Sequence, residues 1–175
     1  MLFRSVTRND YGAGEDLVAS AANVVMTRTF SKIYALAALR LGWAYCPPDV
    51  ADVLNRVRGP FNVGSAALAA GVAAIEDNAF VDLARAHNDV WMPWLTEQLT
   101  ALGLEVVPSV GNFLLVGFPA DAGKDANAAF DFLRERGIIV RKMGGYGLPS
   151  TLRVTVGPAD ETRAVAEALA EFVKG

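Results

Sequence analysis

A lysine and an arginine lie eight positions apart in a mostly apolar stretch of the sequence, "TRTFSKIYALAALR". Lys32 directly follows Ser31, Thr29 precedes both, and Arg40 ends the stretch. A lysine amine held among apolar side chains loses hydration, which favours the neutral form that attacks an aldehyde. Two hydroxyl groups and a guanidinium beside it would bind an anion such as phosphate. The residues alone also allow a plainer reading, in which Lys32 extends from a strand end into water.

The stretch, continued by "LGW", resembles the cofactor-lysine motif of fold type I aminotransferases, and most closely that of the histidinol-phosphate aminotransferase family. Other segments from about residue 23 onward fit the order and spacing of that family, namely "RGPFNV", "GNFLLV", "IIVRKMGGYGLPSTLRVTVG" and the last helix. The resemblance implies pyridoxal 5'-phosphate as the cofactor. It implies that Lys32 holds the cofactor covalently and that Ser31 and Arg40, with Thr29, bind its phosphate.

Two further arginines and an asparagine are candidates for binding the substrate. From the residues alone, Arg141 in "IIVRKM" and Arg153 in "TLRVTVG" could be exposed strand residues. The resemblance implies that Arg153 binds the carboxylate of the amino-acid or oxo-acid substrate and that Arg141 binds a second anionic group. Asn112 in "VGNFLLV" either caps a strand end through its own backbone or contacts the substrate. One cysteine and one histidine cannot form a zinc cluster, so we expect no metal site.

The reaction that the resemblance implies is transamination of L-histidinol phosphate with 2-oxoglutarate, which yields glutamate, in a homodimer of histidine biosynthesis. An aromatic aminotransferase and a threonine-phosphate decarboxylase of the same fold are alternatives. Family chains are longer, and their first half carries the aspartate that pairs with the cofactor ring nitrogen, for which the sequence has no counterpart. We therefore expect a C-terminal half that is inactive alone. A non-catalytic remnant that only self-associates is a third possibility.

Hydrophobic periodicity predicts the elements that position these residues. Strands are expected at "NVVMTRTF" and "RLGWAYC" on either side of Lys32, and helices at "PDVADVLNRVRG", at "SAALAAGVAAIED" and from about residue 79 to 102. The last third alternates strands at "LEVVPS", "NFLLVGF", "IIVRKM" and "LRVTVG" with helices at "DANAAFDFLRERG" and "PADETRAVAEALAEFVK". The predicted fold class is α/β, the C-terminal part of an aspartate aminotransferase-like PLP-dependent transferase. The predicted domains are part of the large cofactor-binding domain (1–60), linking helices (61–102) and a complete small α+β domain (103–175).

Composition restricts the classes of partner and the location. The 175 residues are 53% hydrophobic and 20% charged, which is enough apolar material for a packed core. The net charge of −3 argues against a nucleic-acid partner. No apolar run reaches the roughly 20 residues of a membrane span, and "MLFRSVTRND" lacks the apolar core of a signal peptide. We therefore predict a cytoplasmic protein that binds small molecules and neither membranes nor nucleic acid.

Overall fold

Two compact units make up the protein in this computed structural model. The structure describes residue 12 and residues 14–175. The first unit ends at Arg85 and the second runs Ala86–Gly175, so that the boundary lies inside one long helix. The predicted three-part division at residues 60 and 102 stays a prediction, and its portion in residues 1–11 lies outside the described residues.

A short antiparallel sheet and several helices form the described part of the first unit. The elements are α1 Glu15–Ser20, β1 Met26–Thr29, β2 Gly42–Tyr45, α2 Pro48–Val57, α3 Ser65–Glu76 and the start of α4 Asn78–Ala101. Strands β1 and β2 pair from Met26 opposite Tyr45 to Thr29 opposite Gly42. A Cβ atom at Gly42 would lie only 2.7 Å from the Arg28 carbonyl oxygen, so this pairing requires glycine. The two strands therefore fix both ends of the segment that contains Lys32.

The first unit has a small core. Phe30, Tyr34 and Leu41 form its buried cluster, with partly buried side chains packed around them. Among the described residues, five of the 23 buried hydrophobic side chains belong to this unit, but thirteen of the 19 exposed large ones do. Apolar side chains in this unit are therefore mostly in contact with water, unlike those of a domain that has buried its own core.

The second unit is a four-stranded antiparallel sheet with helices. After α4 come β3 Glu105–Val107, β4 Phe113–Gly117, α5 Ala126–Glu135, β5 Arg141–Lys142, β6 Thr151–Thr155 and α6 Ala159–Lys174. The strand order is β3-β4-β6-β5, with Leu115 opposite Arg153 and Arg153 opposite Arg141. This is the α+β arrangement that the alternating pattern of the last third predicts.

Period-two alternation divides the sheet of the second unit into an apolar face and a polar face. Leu114 and Val116 on β4 pair with Val154 and Leu152 on β6, and all four are almost fully buried. They pack in one cluster with α4, α5 and α6, whose fully buried members include Leu95, Leu99, Leu133 and Leu169. The alternate residues, including Arg153, point to the opposite face. Burial of one face thus fixes the register and determines where the arginines point.

Local signals explain where α5 begins and ends. Asp125 accepts hydrogen bonds from the backbone N–H groups of Asn127 and Ala128, both at 2.8 Å, and so caps the first turn. Gly137 has a φ of 75°, the left-handed conformation that commonly follows a helix. The Ile138 N–H then bonds to the Leu133 carbonyl, which ties the first residue of "IIVRKM" to the helix end. Of that predicted strand, Arg141–Lys142 pairs in the sheet.

No described helix combines the length and the apolar character needed to cross a membrane.

Truncation of a fully buried side chain should destabilise the second unit strongly. Leu133 is 0% exposed, so we expect Leu133→Ala to lower the free energy of unfolding by about 2–5 kcal/mol. The matched control is Leu148→Ala in the same unit, at a side chain that is 42% exposed, and it should cost less than about 1 kcal/mol. Urea unfolding followed by the fluorescence of the Trp91–Trp94 pair measures both. Equal destabilisation by the two variants would contradict this description of the core.

Candidate functional site

The segment between β1 and β2, residues 30–41, is folded back on itself by backbone hydrogen bonds. The Phe30 N–H bonds to the Leu41 carbonyl at 3.1 Å, and the Leu36 N–H bonds to the Phe30 carbonyl at 3.0 Å. The Ala35 N–H bonds to the Lys32 carbonyl at 2.8 Å and closes a turn around the lysine. The rings of Phe30 and Tyr34 lie 5.0 Å apart and are buried. We call residues 30–41 the lysine loop.

Helix α3 supports the lysine loop through a glycine. A Cβ atom at Gly71 would collide with Cδ2 of Leu41 and would lie 3.8 Å from Cζ of Phe30. Because glycine has no side chain, Leu41 packs directly against the helix backbone. Gly71 is buried in the middle of α3, a position where glycine otherwise weakens a helix. The close approach explains why glycine occupies it.

Three of the predicted cofactor residues are brought together by hydrogen bonds. The Thr29 hydroxyl oxygen accepts from the Ser31 N–H at 3.0 Å. Arg40 Nη1 donates to the Ser31 hydroxyl at 3.4 Å and to the Ala37 carbonyl at 2.8 Å. None of the carboxylates in the described part of the chain forms an ion pair with Arg40 or with Lys32. The result is a cluster of two hydroxyls and a guanidinium whose positive charge is not neutralised by those carboxylates.

Lys32 itself is exposed, so the expectation that it lies among apolar side chains is wrong. The reason is that Phe30, Tyr34 and Leu41 turn inward to form the core of the unit, while Lys32 follows Ser31 on the water-facing side of the loop. An exposed amine is accessible to a dissolved aldehyde. It is also what the plainer reading of a strand-end lysine predicts.

The backbone of the lysine loop is strained at two positions. Ala35 has a φ of 55° and Arg40 a φ of 51°, and both are non-glycine residues in the left-handed region. Such a conformation costs roughly 1–2 kcal/mol per residue. Two of the three residues of this kind in the described chain therefore belong to one short loop. Strain of this kind is concentrated at functional sites, where the surrounding structure maintains it.

The second unit carries the two predicted substrate arginines side by side. Arg141 on β5 lies directly opposite Arg153 on β6, which places both on the polar face of the sheet. Directly opposed residues have Cβ atoms about 5 Å apart, and like charges at that separation repel each other. An anion bound between the two would remove this repulsion, so the pair has the charge arrangement of an anion site.

Aromatic rings orient both arginines. Arg153 Cζ lies 5.0 Å from the ring centroid of Phe113, and Arg153 Nε is buried without a hydrogen-bond partner among the described residues. Arg141 Nη2 donates to the Tyr146 hydroxyl at 2.9 Å. A buried donor without a partner is unfavourable unless a ligand accepts from it. The guanidinium of Arg153 therefore lies beside the Phe113 ring with its buried Nε–H available to a ligand.

Asn112 shows the backbone role that the sequence allowed. Its carbonyl oxygen accepts from the Val156 N–H at 2.9 Å, which extends the β4–β6 ladder by one position. Its contact with a substrate stays a prediction. The single histidine, His87, lies 2.9 Å from the Gly157 carbonyl through Nε2, so this nitrogen carries the proton and donates. Within residues 12 and 14–175, no group of His, Cys, Asp or Glu side chains could hold a metal ion.

Three contributors to these sites could not be identified by sequence reasoning. Gly71 lies in a helix rich in alanine, so its sequence context does not distinguish a glycine required by close packing from another small residue. Phe113 and Tyr146 contact the arginines through strand register and a turn, neither of which the residue types reveal. One sequence signal could have identified Phe113. An aromatic residue two positions from Leu115 on an alternating strand must share a face with any arginine opposite Leu115.

Comparison with known proteins identifies the family. Residues 5–170 match the family model described as aminotransferase class I and II. The chain belongs to this family. Histidinol-phosphate aminotransferase of Paramagnetospirillum magneticum is 64% identical over 168 residues, which are 96% of this chain and 46% of that protein. The enzyme of the same name from Rhodopseudomonas palustris is 51% identical over the same shares.

A solved aminotransferase confirms the predicted fold class. The crystal structure of histidinol-phosphate aminotransferase from Sinorhizobium meliloti, in complex with pyridoxal-5'-phosphate, superposes with a TM-score of 0.85 at 29% identity. The match covers 98% of this chain and 46% of that one. The chain thus spans about half the length of the relatives that it matches and has the fold of a C-terminal part of this aminotransferase family.

Filling the space above Gly71 should loosen the lysine loop. We expect Gly71→Val to push Leu41 away and to destabilise the loop by about 1–3 kcal/mol, the usual effect of overpacking. Hydrogen exchange at the Phe30 amide, which bonds to the Leu41 carbonyl, measures this directly and should become roughly tenfold faster. Ala69→Val introduces the same side chain on an exposed position of the same helix and is the control. Equal exchange rates in the two variants would show that the Leu41 contact does not hold the loop.

An anion should stabilise the second unit through Arg153. We expect inorganic phosphate to raise the melting temperature of the protein above its value in chloride at equal ionic strength, because only the folded state offers the opposed arginines. Arg153→Gln should remove at least half of that increase. Arg163→Gln, which removes an equal charge from α6, should leave it intact. The same increase in both variants would instead indicate a general effect of phosphate on the protein surface.

Proposed function

We propose that this chain provides the cofactor-holding lysine and the substrate-binding arginines of a pyridoxal-phosphate-dependent aminotransferase acting on L-histidinol phosphate and 2-oxoglutarate. One observation carries the proposal: the Arg40 guanidinium bonds to the Ser31 hydroxyl directly beside Lys32. The names of the two relatives and the cofactor in the Sinorhizobium meliloti structure support it.

The hydroxyl–guanidinium cluster suits a phosphate group. Thr29 Oγ1 already accepts a hydrogen bond from the Ser31 N–H, so its own proton is free to be donated. The Ser31 hydroxyl accepts from Arg40 Nη1 and can likewise donate its proton. Arg40 has further N–H donors, and guanidinium groups bind phosphate oxygens in pairs. Each member of the cluster can therefore direct a proton at a phosphate oxygen.

Lys32 supplies the reactive amine. When bound, pyridoxal phosphate supplies an aldehyde and a ring that accepts the electrons released at the substrate carbon. Lys32 would hold the cofactor through Nζ. Its Nζ would also take the proton from the substrate carbon as a general base and return it as a general acid. The exposure of Lys32 allows the cofactor aldehyde to reach its amine.

The arginines of the second unit account for the choice of substrates. Histidinol phosphate carries a phosphate, and 2-oxoglutarate carries carboxylates, so each half of the reaction presents an anion. Arg153 has an unused buried N–H, and Arg141 faces it across the strand pair. We assign the substrate carboxylate to Arg153 and a second anionic group to Arg141, with Asn112 as a further substrate contact.

The location and the oligomeric state of the enzyme are also part of the proposal. We propose that it works as a homodimer, as the family resemblance implies, and that it is located in the cytoplasm. The one cysteine of the sequence, Cys46, forms no disulfide within it, so the described chain does not depend on an oxidising compartment.

A second candidate function is a non-catalytic chain that only associates with itself. The exposed large apolar side chains of the first unit favour it, because such surface promotes association. It predicts that the chain forms oligomers but catalyses nothing under any conditions.

A fusion protein tests the proposed activity. The part of the Paramagnetospirillum magneticum relative that precedes its match to this chain is joined to residues 1–175, and glutamate formation from 2-oxoglutarate is measured with histidinol phosphate as amino donor. We expect turnover that Lys32→Ala lowers on the order of 1000-fold. Lys142→Ala, which removes an exposed lysine bonded to Asn127, should leave it nearly unchanged.

The alternatives have distinct outcomes in the same fusion. Faster reaction with an aromatic amino acid, or carbon dioxide release from threonine phosphate, would replace the proposed substrate while keeping the roles of Lys32 and Arg40. A folded fusion that binds pyridoxal phosphate yet transforms none of these substrates would contradict the proposed function.

A further inference from the structure

Helix α3 turns its small residues inward and its large residues to solvent. The buried positions are Ala67 and Gly71, and Gly71 contacts the lysine loop. Leu68, Val72 and Ile75 are 54%, 59% and 54% exposed. These three follow the spacing i, i+4, i+7 and therefore form one stripe, which we call the outer stripe of α3. This is the reverse of a surface helix, whose large apolar residues face the core.

The composition of α3 is typical of a helix that is covered on all sides. Its residues "SAALAAGVAAIE" contain one charge, Glu76, at the last position, and its other polar residue, Ser65, is the first. A helix that is apolar all round is normally buried all round. Other exposed apolar side chains belong to the same unit, among them Val57, Phe61 and Leu83. The outer stripe is thus not the only exposed apolar group among the described residues of this unit.

The length of the relatives and the composition of α3 bear on what would cover the outer stripe. The curated relatives match 96% of this chain with only 46% of their own length, so more than half of each relative has no counterpart in the match. A membrane surface is disfavoured as the occupant, because α3 contains no lysine or arginine to bind lipid headgroups. A polar ligand would gain little from a stripe of Leu, Val and Ile side chains. Another folded polypeptide with an apolar surface fits both the composition and the missing length.

We propose that the outer stripe of α3 is the docking face for the half of the aminotransferase fold that lies outside the match. In the docked state, that half contacts Leu68, Val72 and Ile75 directly. Because the inner side of α3 packs on Leu41 through Gly71, a partner on the outer side also stabilises the lysine loop. The inference rests on family membership and on burial, and it does not depend on the cofactor or the substrate.

Reconstitution from two chains tests this docking. The part of the Paramagnetospirillum magneticum relative that precedes its match to this chain is produced as a separate polypeptide and titrated into the 175-residue protein, without cofactor. We expect a one-to-one complex by light scattering coupled to size-exclusion chromatography. We also expect slower hydrogen exchange along α3 and at the Phe30 amide once the complex has formed.

Two valine variants form a matched pair. Val72→Gln alters the outer stripe, and Val90→Gln alters a side chain on α4 of the second unit that is 63% exposed. We expect Val72→Gln to weaken the complex at least tenfold, as expected for a residue central to an interface, and Val90→Gln to change its affinity less than about twofold. Both side chains are exposed, so neither variant should unfold the chain, and circular dichroism verifies this. Leu68→Gln is a second outer-stripe variant and should behave like Val72→Gln.

Several results of these binding experiments would overturn the proposed docking. No complex, or a complex that Val72→Gln and Leu68→Gln do not weaken, would overturn the proposal. A dimer of the 175-residue chain that Val72→Gln dissociates and the added half does not displace would overturn it too, since the occupant would then be a second copy. Binding without transamination would leave the docking face intact and count only against the proposed function.

Discussion

The close approach of Leu41 to the backbone of α3 determines the conformation of the loop that carries Lys32. It is possible only because position 71 is glycine. With Leu41 fixed, its carbonyl holds the Phe30 N–H, and the two strands keep Thr29 and Gly42 opposite each other. The loop then has few conformations that connect these ends, and two of its residues adopt left-handed backbone angles. The cluster of hydroxyls and guanidinium is a consequence of that closure.

The two units differ in how completely they bury their apolar residues. The second has a packed core below a four-stranded sheet, and its arginines are fixed on the polar face by strand register. The first places a strained loop on a core of three side chains and leaves large apolar residues in water. The chain spans about half the length of the relatives that it matches. The docking proposed for the outer stripe of α3 would cover part of the exposed apolar surface of the first unit. The lysine loop and most of the exposed large apolar side chains of the described residues thus lie in the same unit.

Sequence patterns predicted the elements of the second unit well and the surroundings of the reactive residues less well. The alternating pattern predicts a strand with one buried face, and Leu114 and Val116 are buried in the core. The lysine motif predicts that Ser31 and Arg40 lie together, and a hydrogen bond joins them. Lys32 was expected among apolar side chains, but the nearby aromatic residues pack on one another. The facing of Arg141 and Arg153 depends on register, which arises from the whole sheet and cannot be read from either strand alone.

Reductive trapping tests most directly whether Lys32 and Arg40 form a cofactor site. The protein is mixed with a substoichiometric amount of pyridoxal phosphate or of pyridoxal, which lacks the phosphate. Borohydride then fixes the carbon–nitrogen bond, and mass spectrometry maps the label over the four lysines, Lys32, Lys124, Lys142 and Lys174. We predict that Lys32 is labelled first and prefers the phosphorylated aldehyde, and that Arg40→Ala abolishes this preference. Equal labelling of all four lysines, or a preference that survives Arg40→Ala, would contradict the assignment.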